Sequence, residues 1–350
     1  MVPLVVAVVA MGCNQDDCED FNPTPYVLQI PEGLPSMDPF IPADNPMTVE
    51  GVALGRKLFY DPLLSDDNSQ SCGTCHLQEH GFAEPQQHSV GIDGSVGTRN
   101  AMALINLGWN PNGFFWDGRA ATLEDLVFQP VTNPIEMNTT WPEVEAKLNE
   151  NEEYRVMFAE AFNIEVIDSV HVSKAIAQFL RTLISANSKF DQYSYQQSVS
   201  LSNDELAGLV LFQSNEGADC FHCHTLGGHF TTNEFQNNGM DVDVSADEGR
   251  YLVTGDENDK GKFRVPTLRN IELTAPYMHD GRFFTLQEVL DHYSEHVQAT
   301  SPNIDFSNMQ HAEAGGVQLE EFEKQQLLAF LKTLTDPSFV NNPELSDPNP

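Results

Sequence analysis

The sequence predicts a mainly α-helical protein made of two similar domains in tandem, with few strands. Three observations carry that expectation. A Cys-x-x-Cys-His motif occurs twice, as Cys72-Gly73-Thr74-Cys75-His76 and as Cys220-Phe221-His222-Cys223-His224. The same markers flank each motif in the same order. Segments with apolar residues at helical spacing outnumber strand-like runs. A length of 350 residues suits about two domains.

The flanking markers make an internal repeat. Gly55-Arg56-Lys57-Leu58-Phe59 precedes the first motif and Gly208-Leu209-Val210-Leu211-Phe212 the second. Arg99-Asn100 and Arg269-Asn270 follow, then Trp116-Asp117-Gly118-Arg119 and His279-Asp280-Gly281-Arg282, then Thr122-Leu123 and Thr285-Leu286. A duplicated domain is the simplest reading. Helices are expected over 170–188, over 204–213 behind a capping box from Ser202 to Glu205, over 285–296 and over 319–334. The expected divisions are a leader over 1–20, a tether over 21–46, and domains over 47–195 and 196–340.

The leader is almost wholly apolar from Met1 to Gly12 and is too short to span a bilayer. It resembles the apolar core of a signal peptide. Ala10-Met11-Gly12-Cys13 resembles a lipobox, which would place a lipid anchor on Cys13; a plain cleaved signal is the alternative. Either way the expected location is periplasmic or otherwise exported. The Pro- and Asp-rich stretch that follows reads as a tether. With 52 Asp+Glu against 17 Lys+Arg the formal net charge is −35. Such a surface repels nucleic acid and anionic membranes and attracts basic proteins and metal cations. Adaptation for solubility explains the charge equally well.

Cys13 and Cys18 belong to the leader region, and the other four cysteines form the two motifs. Two thiols one helical turn apart can add to the two vinyl groups of one haem, and the histidine that follows then points at the iron from the same side. Cys72, Cys75 and His76 are thus candidates for one c-type haem, and Cys220, Cys223 and His224 for a second. A four-thiolate zinc site or a pair of redox disulfides are the alternatives. Neither explains a histidine directly after each pair.

The repeat becomes informative where its halves differ. Eight residues past Thr285 stands Tyr293; eight past Thr122 stands Pro130. A phenolate can bind ferric iron and proline cannot. The second haem could then be closed by His224 and Tyr293 while the first keeps an open face for peroxide. A buried aromatic on an amphipathic helix is the other reading of Tyr293. Glu136, in Asn133-Pro134-Ile135-Glu136-Met137, occurs in the first half only. A carboxylate over an open haem can carry a proton between the two peroxide oxygens; an ordinary surface acid is the alternative. Trp116 holds the repeat position of His279. It could relay electrons between haems or simply pack in the core.

From about Gly51 to Tyr293 the chain resembles the bacterial di-haem cytochrome c peroxidase and MauG family. The carriers are Ser71 to His76, Ser89-Val90-Gly91-Ile92-Asp93-Gly94, Gly97-Thr98-Arg99-Asn100, Phe115 to Arg119, Pro134 to Met137, the second Cys-x-x-Cys-His, Val265-Pro266-Thr267-Leu268-Arg269-Asn270, and Ala275-Pro276-Tyr277-Met278 through Arg282. The resemblance implies two helical haem domains, the first peroxidatic and the second storing electrons. It places Glu136 at the family's catalytic glutamate and Trp116 at its inter-haem tryptophan. It also implies a calcium ion held by Asn100 and the carbonyls of Thr274 and Pro276, a set of oxygen ligands that suits Ca²⁺. Members of the family often dimerise.

Three departures stand out. Ordinary peroxidases of the family have Met where this chain has Tyr293, as MauG-type members do. A phenolate should lower that haem's potential and favour high-valent iron. A family glutamine falls on Leu126, with Gln129 nearby as a substitute. His80 and His88 lie on the loop where many members carry a distal histidine. The leading expectation is reduction of hydrogen peroxide with electrons from a small cytochrome c or copper protein. The second is a MauG-like oxidation of a protein or small molecule. A pure electron-transfer cytochrome, with two closed haems, is the third.

Overall fold

The computed structural model describes residues 21–34 and 39–349, so Cys13, Cys18 and the expected leader lie outside the described residues. In the first half, α1 (Val49–Tyr60) is followed by a single haem-motif turn, α2 (Cys72–Cys75), then α3 (Leu123–Thr132), α4 (Trp141–Glu150), α5 (Glu152–Phe162) and α6 (Ser169–Arg181). The second half comprises α7 (Lys189–Ser194), α8 (Asn203–Gln213), α9 (Tyr251–Thr254), α10 (Leu286–Glu295), α11 (Phe306–Ala312), α12 (Glu321–Lys332) and α13 (Pro337–Val340). The described strands are the two-residue β1 (Phe235–Gln236) and β2 (Phe263–Arg264), paired antiparallel. Mainly helical with few strands is thus the observed class. Among the described residues no helix is long and apolar enough to cross a membrane.

Each half is built on a crossed helix pair. α1 packs on α6, and α8 packs on α12. Gly55 and Gly208 sit at the crossings: a Cβ at either would overlap a backbone carbonyl, that of Ala175 or that of Gln326. Glycine therefore sets the approach of the two backbones. Two apolar cores result, one around Leu54, Leu58, Phe59, Ile176 and Phe179 and one around Phe212, Phe230, Leu327 and Phe330.

The caps follow the sequence. Thr122 with Asp125, Ser202 with Glu205 and Thr285 with Glu288 form capping boxes that start α3, α8 and α10. The helix expected over 170–188 stops at Arg181. Beyond it the donors are taken elsewhere: Ser185 N–H donates to Asn106 Oδ1 at 2.9 Å, and the amides of Ala186 and Asn187 donate to Asp336 Oδ2 at 3.0 and 2.9 Å.

Two expectations about organisation are corrected. The 21–46 segment is not a free tether along its described length. Phe40 N–H donates to Gly108 O, and the buried Asn45 donates to Glu124 at 2.6 Å and accepts from Gln178. Nor does the end of the chain stay with the second half. Phe339 and Leu345 join the first core. Arg56 donates to the carbonyls of Pro343 and Ser346, Tyr60 OH to Leu345 O, and Gln78 to Phe339 O and Asn342 O.

Candidate active site

The register of the repeat is visible in its hydrogen bonds. His76 Nδ1 donates to Phe82 O at 2.8 Å, and His224 Nδ1 to Phe230 O at 3.2 Å. A carbonyl only accepts, so each Nδ1 carries the proton and each Nε2 is the lone-pair nitrogen, available to a metal. Phe82 and Phe230 both have positive φ, 58° and 52°. Leu104 N–H then bonds Phe82 O, and Leu268 N–H bonds Phe230 O; Asn106 N–H bonds Leu183 O, and Asn270 N–H bonds Leu334 O. Asn270 thus corresponds to Asn106, not to Asn100 as the matching Arg-Asn dipeptides suggest. Both asparagines have positive φ and brace the segment after the second helix of their pair. Phe114 bridges Ala120 as Tyr277 bridges Phe283, which places Trp116 opposite His279 as expected. The matched caps of α3 and α10 place Pro130 opposite Tyr293.

Two cavities open beside these elements. The first, of about 510 Å³, is lined by Cys72, Cys75, His76, Pro130, Asn133, Glu136 and Trp116. The second, of about 250 Å³, is lined by Cys220, Cys223, His224, Tyr293, Met278, His279 and Trp116. Among the described residues the four motif cysteines are free thiols, and the two pairs line different cavities, an arrangement that does not suit one shared four-thiolate site. Burial holds each thiol up at about 12 and pulls His224 down to about 4. The donor set suits a c-type haem in each cavity: paired thiols, an oriented imidazole and apolar walls. An orphaned imidazole fits the same group. His229 lines the second cavity, is 8% exposed, and has no partner for either ring nitrogen. A haem carboxylate is the partner its surroundings lack.

Glu136 is held at the wall of the first cavity. Asn133 Nδ2 donates to its Oε1 at 2.6 Å, and its backbone O accepts from Ile92 N–H at 3.1 Å. Gly91 permits that approach, since a Cβ there would press on Ile135. Burial raises the Glu136 carboxyl above its ordinary range; the Asn133 bond and the Arg119 charge oppose this. Leu126 lines the cavity, whereas Gln129 accepts from Arg119 Nε at 2.7 Å. His80 turns toward the other half, to Leu273 O at 3.3 Å, and His88 Nε2 is buried with no partner. Ser89, Val90 and Gly91 of that loop line the cavity, not these histidines.

Trp116 lies on the wall the cavities share. Its Nε1 donates to Asn100 O at 2.8 Å, and its own carbonyl accepts from Arg264 N–H at 2.8 Å. In the second cavity Asn238 Nδ2 reaches Met278 Sδ at 3.3 Å and Tyr293 OH at 3.5 Å. Burial pushes the Tyr293 phenol well above its usual range. Asn100, Thr274 and Pro276 all line the second cavity, and Asn100 Nδ2 donates to Gln86 O and Gln87 O. The sequence reading missed Met278, Asn238, His229 and Arg264. Met278 was quoted only as part of a motif, and no local spacing distinguishes the others.

This pair of cavities, each with a Cys-x-x-Cys-His turn and a shared tryptophan wall, defines a protein built to carry two c-type haems. A family model described as di-haem cytochrome c peroxidase matches residues 49–199. The methylamine utilization protein MauG of Methylorubrum extorquens is 34% identical over 317 residues, covering 90% of this chain and 85% of that protein. Cytochrome c551 peroxidase of Nitrosomonas europaea is 34% identical over 302 residues, covering 84% of this chain and 83% of that protein. The crystal structure of a MauG-like protein associated with microbial copper homeostasis matches with a TM-score of 0.80 and 36% identity, over 92% of this chain and 99% of that one. The chain belongs to the di-haem cytochrome c peroxidase and MauG family, and membership implies two haem c groups.

Proposed function

We propose that this protein reduces hydrogen peroxide to water, taking two electrons from an external donor such as a small cytochrome c or copper protein. The observation that carries the reading is the asymmetry of the cavities. The larger one has a partly buried carboxyl, Glu136, and a proline where the smaller one has Tyr293. Bound haem supplies an iron that takes up peroxide in the first cavity and one that stores an electron in the second. His76 and His224 would hold the two groups through Nε2, and Tyr293 would add its phenol oxygen in the second cavity. Asn133 engages one oxygen of Glu136 and leaves the other for proton transfer. Glu136 would hold and move the proton that must pass from one peroxide oxygen to the other for water to leave. Such a positioned group is worth about 10²–10⁴ in rate. Trp116, clamped at its ring N–H and its carbonyl, relays electrons across the shared wall.

Haem domains over about 47–195 and 196–340 draw support from the two cores, although Phe190 of α7 already packs in the second and the end of the chain returns to the first. Haem c is attached outside the bacterial cytoplasm, which favours an exported protein, anchored through Cys13 if the lipobox is used. A calcium ion at Asn100 and the carbonyls of Thr274 and Pro276 is what the family resemblance implies, as is dimerisation. Tyr293, lining the second cavity, favours a second reading, a MauG-like oxidation of a protein or small molecule. Paramagnetic resonance and optical spectra of the ferric, haem-loaded protein beside Tyr293→Phe test the assignment. One high-spin haem, with one low-spin signal altered in the variant, is the expected result. Two low-spin haems unchanged by the substitution would remove Tyr293 from the iron. Peroxide turnover after half-reduction would then separate a closed peroxidase from an electron carrier.

A further inference from the structure

The wall between the cavities holds a charge that the protein leaves unmatched. Arg264 lines both cavities and is 5% exposed. All its N–H groups are used. Nε donates to Phe115 O at 3.2 Å; Nη1 donates to Asn110 Oδ1 at 2.9 Å and Asn233 O at 3.3 Å; Nη2 donates to Asn112 O at 3.2 Å and to Gly113 O. Every acceptor is neutral. The other buried arginines have carboxylates: Arg269 pairs with Asp191 and Arg181 with Glu124. Asp117, the acid that acts on Arg264 from a distance, is already engaged by Arg99 and Arg119.

The surroundings add positive charge instead of removing it. The Arg250 guanidinium lies 4.4 Å from the centre of the Phe235 ring and that of Arg264 lies 4.9 Å from it. Burial and Arg250 pull Arg264 down to about 10, so it is still a cation at neutral pH. A buried cation held only by neutral dipoles is strongly unfavourable unless an anion completes the site. Haem carries two carboxylates, and both cavities built to receive one are lined by this side chain.

We propose that Arg264 is a shared counter-charge for the carboxylates of both haems and holds both reduction potentials up. This rests on the di-haem reading. A fixed positive charge favours the reduced state of each iron, because reduction adds a negative charge. With its donors committed to the 110–115 loop and to Asn233, the guanidinium cannot swing toward one cavity. It therefore acts on the two haems together. Arg264 is a positioning and tuning residue and touches no reacting atom.

The test is spectroelectrochemical titration of each haem in the loaded protein, with haem content per chain measured first. The variants are Arg264→Gln and Arg264→Lys. In Arg264→Gln both midpoints should fall, each by about a tenfold change in the reduction equilibrium, which is about 59 mV for one electron. In Arg264→Lys both should stay near wild type. A fall in only one midpoint, or in neither, overturns the proposal. So does an equal fall in the lysine variant, which would assign the effect to the lost hydrogen bonds. If the glutamine variant does not load haem, the lysine variant decides alone: midpoints near wild type support the shared charge, and a tenfold fall overturns it. Wild-type protein lacking two haems would instead overturn the di-haem reading.

Discussion

In the first half, the capped helix α3 presents Leu126 and Pro130 to a cavity of about 510 Å³; in the second, the matching helix α10 presents Val289 and Tyr293 to one of about 250 Å³. The caps, the Nδ1-to-carbonyl anchors and the glycine crossings are the same in both. Among the cavity-lining residues the telling differences are Pro130 against Tyr293, Trp116 against His279, and Glu136 with no counterpart. The pair teaches that one scaffold fixes how a haem is gripped from the cysteine side. What happens on the opposite side is left to the helix after the second loop.

That comparison can be broken at several points. The largest expected effect is on Glu136→Gln, which should lower peroxide turnover by about 10²–10⁴ while leaving both haem spectra unchanged. Equal turnover in the variant would make the first cavity's acid irrelevant. Next is the buried ion pair of the second half. Asp191→Ala strands Arg269, both partners being fully buried, and should cost about 3–5 kcal/mol in urea unfolding. Glu124→Ala in the first half should cost less, because Glu124 retains 15% exposure beside Arg181. Smaller again are Gly55→Ala and Gly208→Ala, each expected to cost about 1–3 kcal/mol through overpacking. Similar losses in both would sharpen the equivalence of the crossings, and a neutral result at either would break it.

The subtlest change concerns pH. Burial raises Glu136, and protonating it removes the base, so activity should fall on the acid side through a limb above the ordinary carboxylate range. Arg119 opposes that rise. Arg119→Gln should therefore move the limb to higher pH and leave the plateau rate in place. A limb that stays put in a pH–rate profile would take Arg119 out of the electrostatics of the site.

The motifs, the capped helices and the mismatch of Pro130 with Tyr293 were legible because they rest on local spacing, which a single strand of text preserves. The register near Asn100 was not. Arg99-Asn100 and Arg269-Asn270 look alike, but Asn106 makes the bonds that Asn270 makes, each to a segment more than 60 residues away. The end of the helix expected over 170–188 was hidden for the same reason, since Asn106 and Asp336 take the donors. Arg264 was invisible as a site because an arginine in sequence carries no sign of whether an acid will meet it.

The return of residues 337–346 to the first half bears on how the molecule is made. Synthesis runs from the N-terminus, so α1 to α6 leave the ribosome long before Phe339 and Leu345 exist to fill their places among them. Until then Tyr60, whose ring lies against Gly73 of the first haem-motif turn, has no Leu345 carbonyl for its hydroxyl. The half that comes first in sequence therefore cannot complete its core until nearly the last residues of the chain are present.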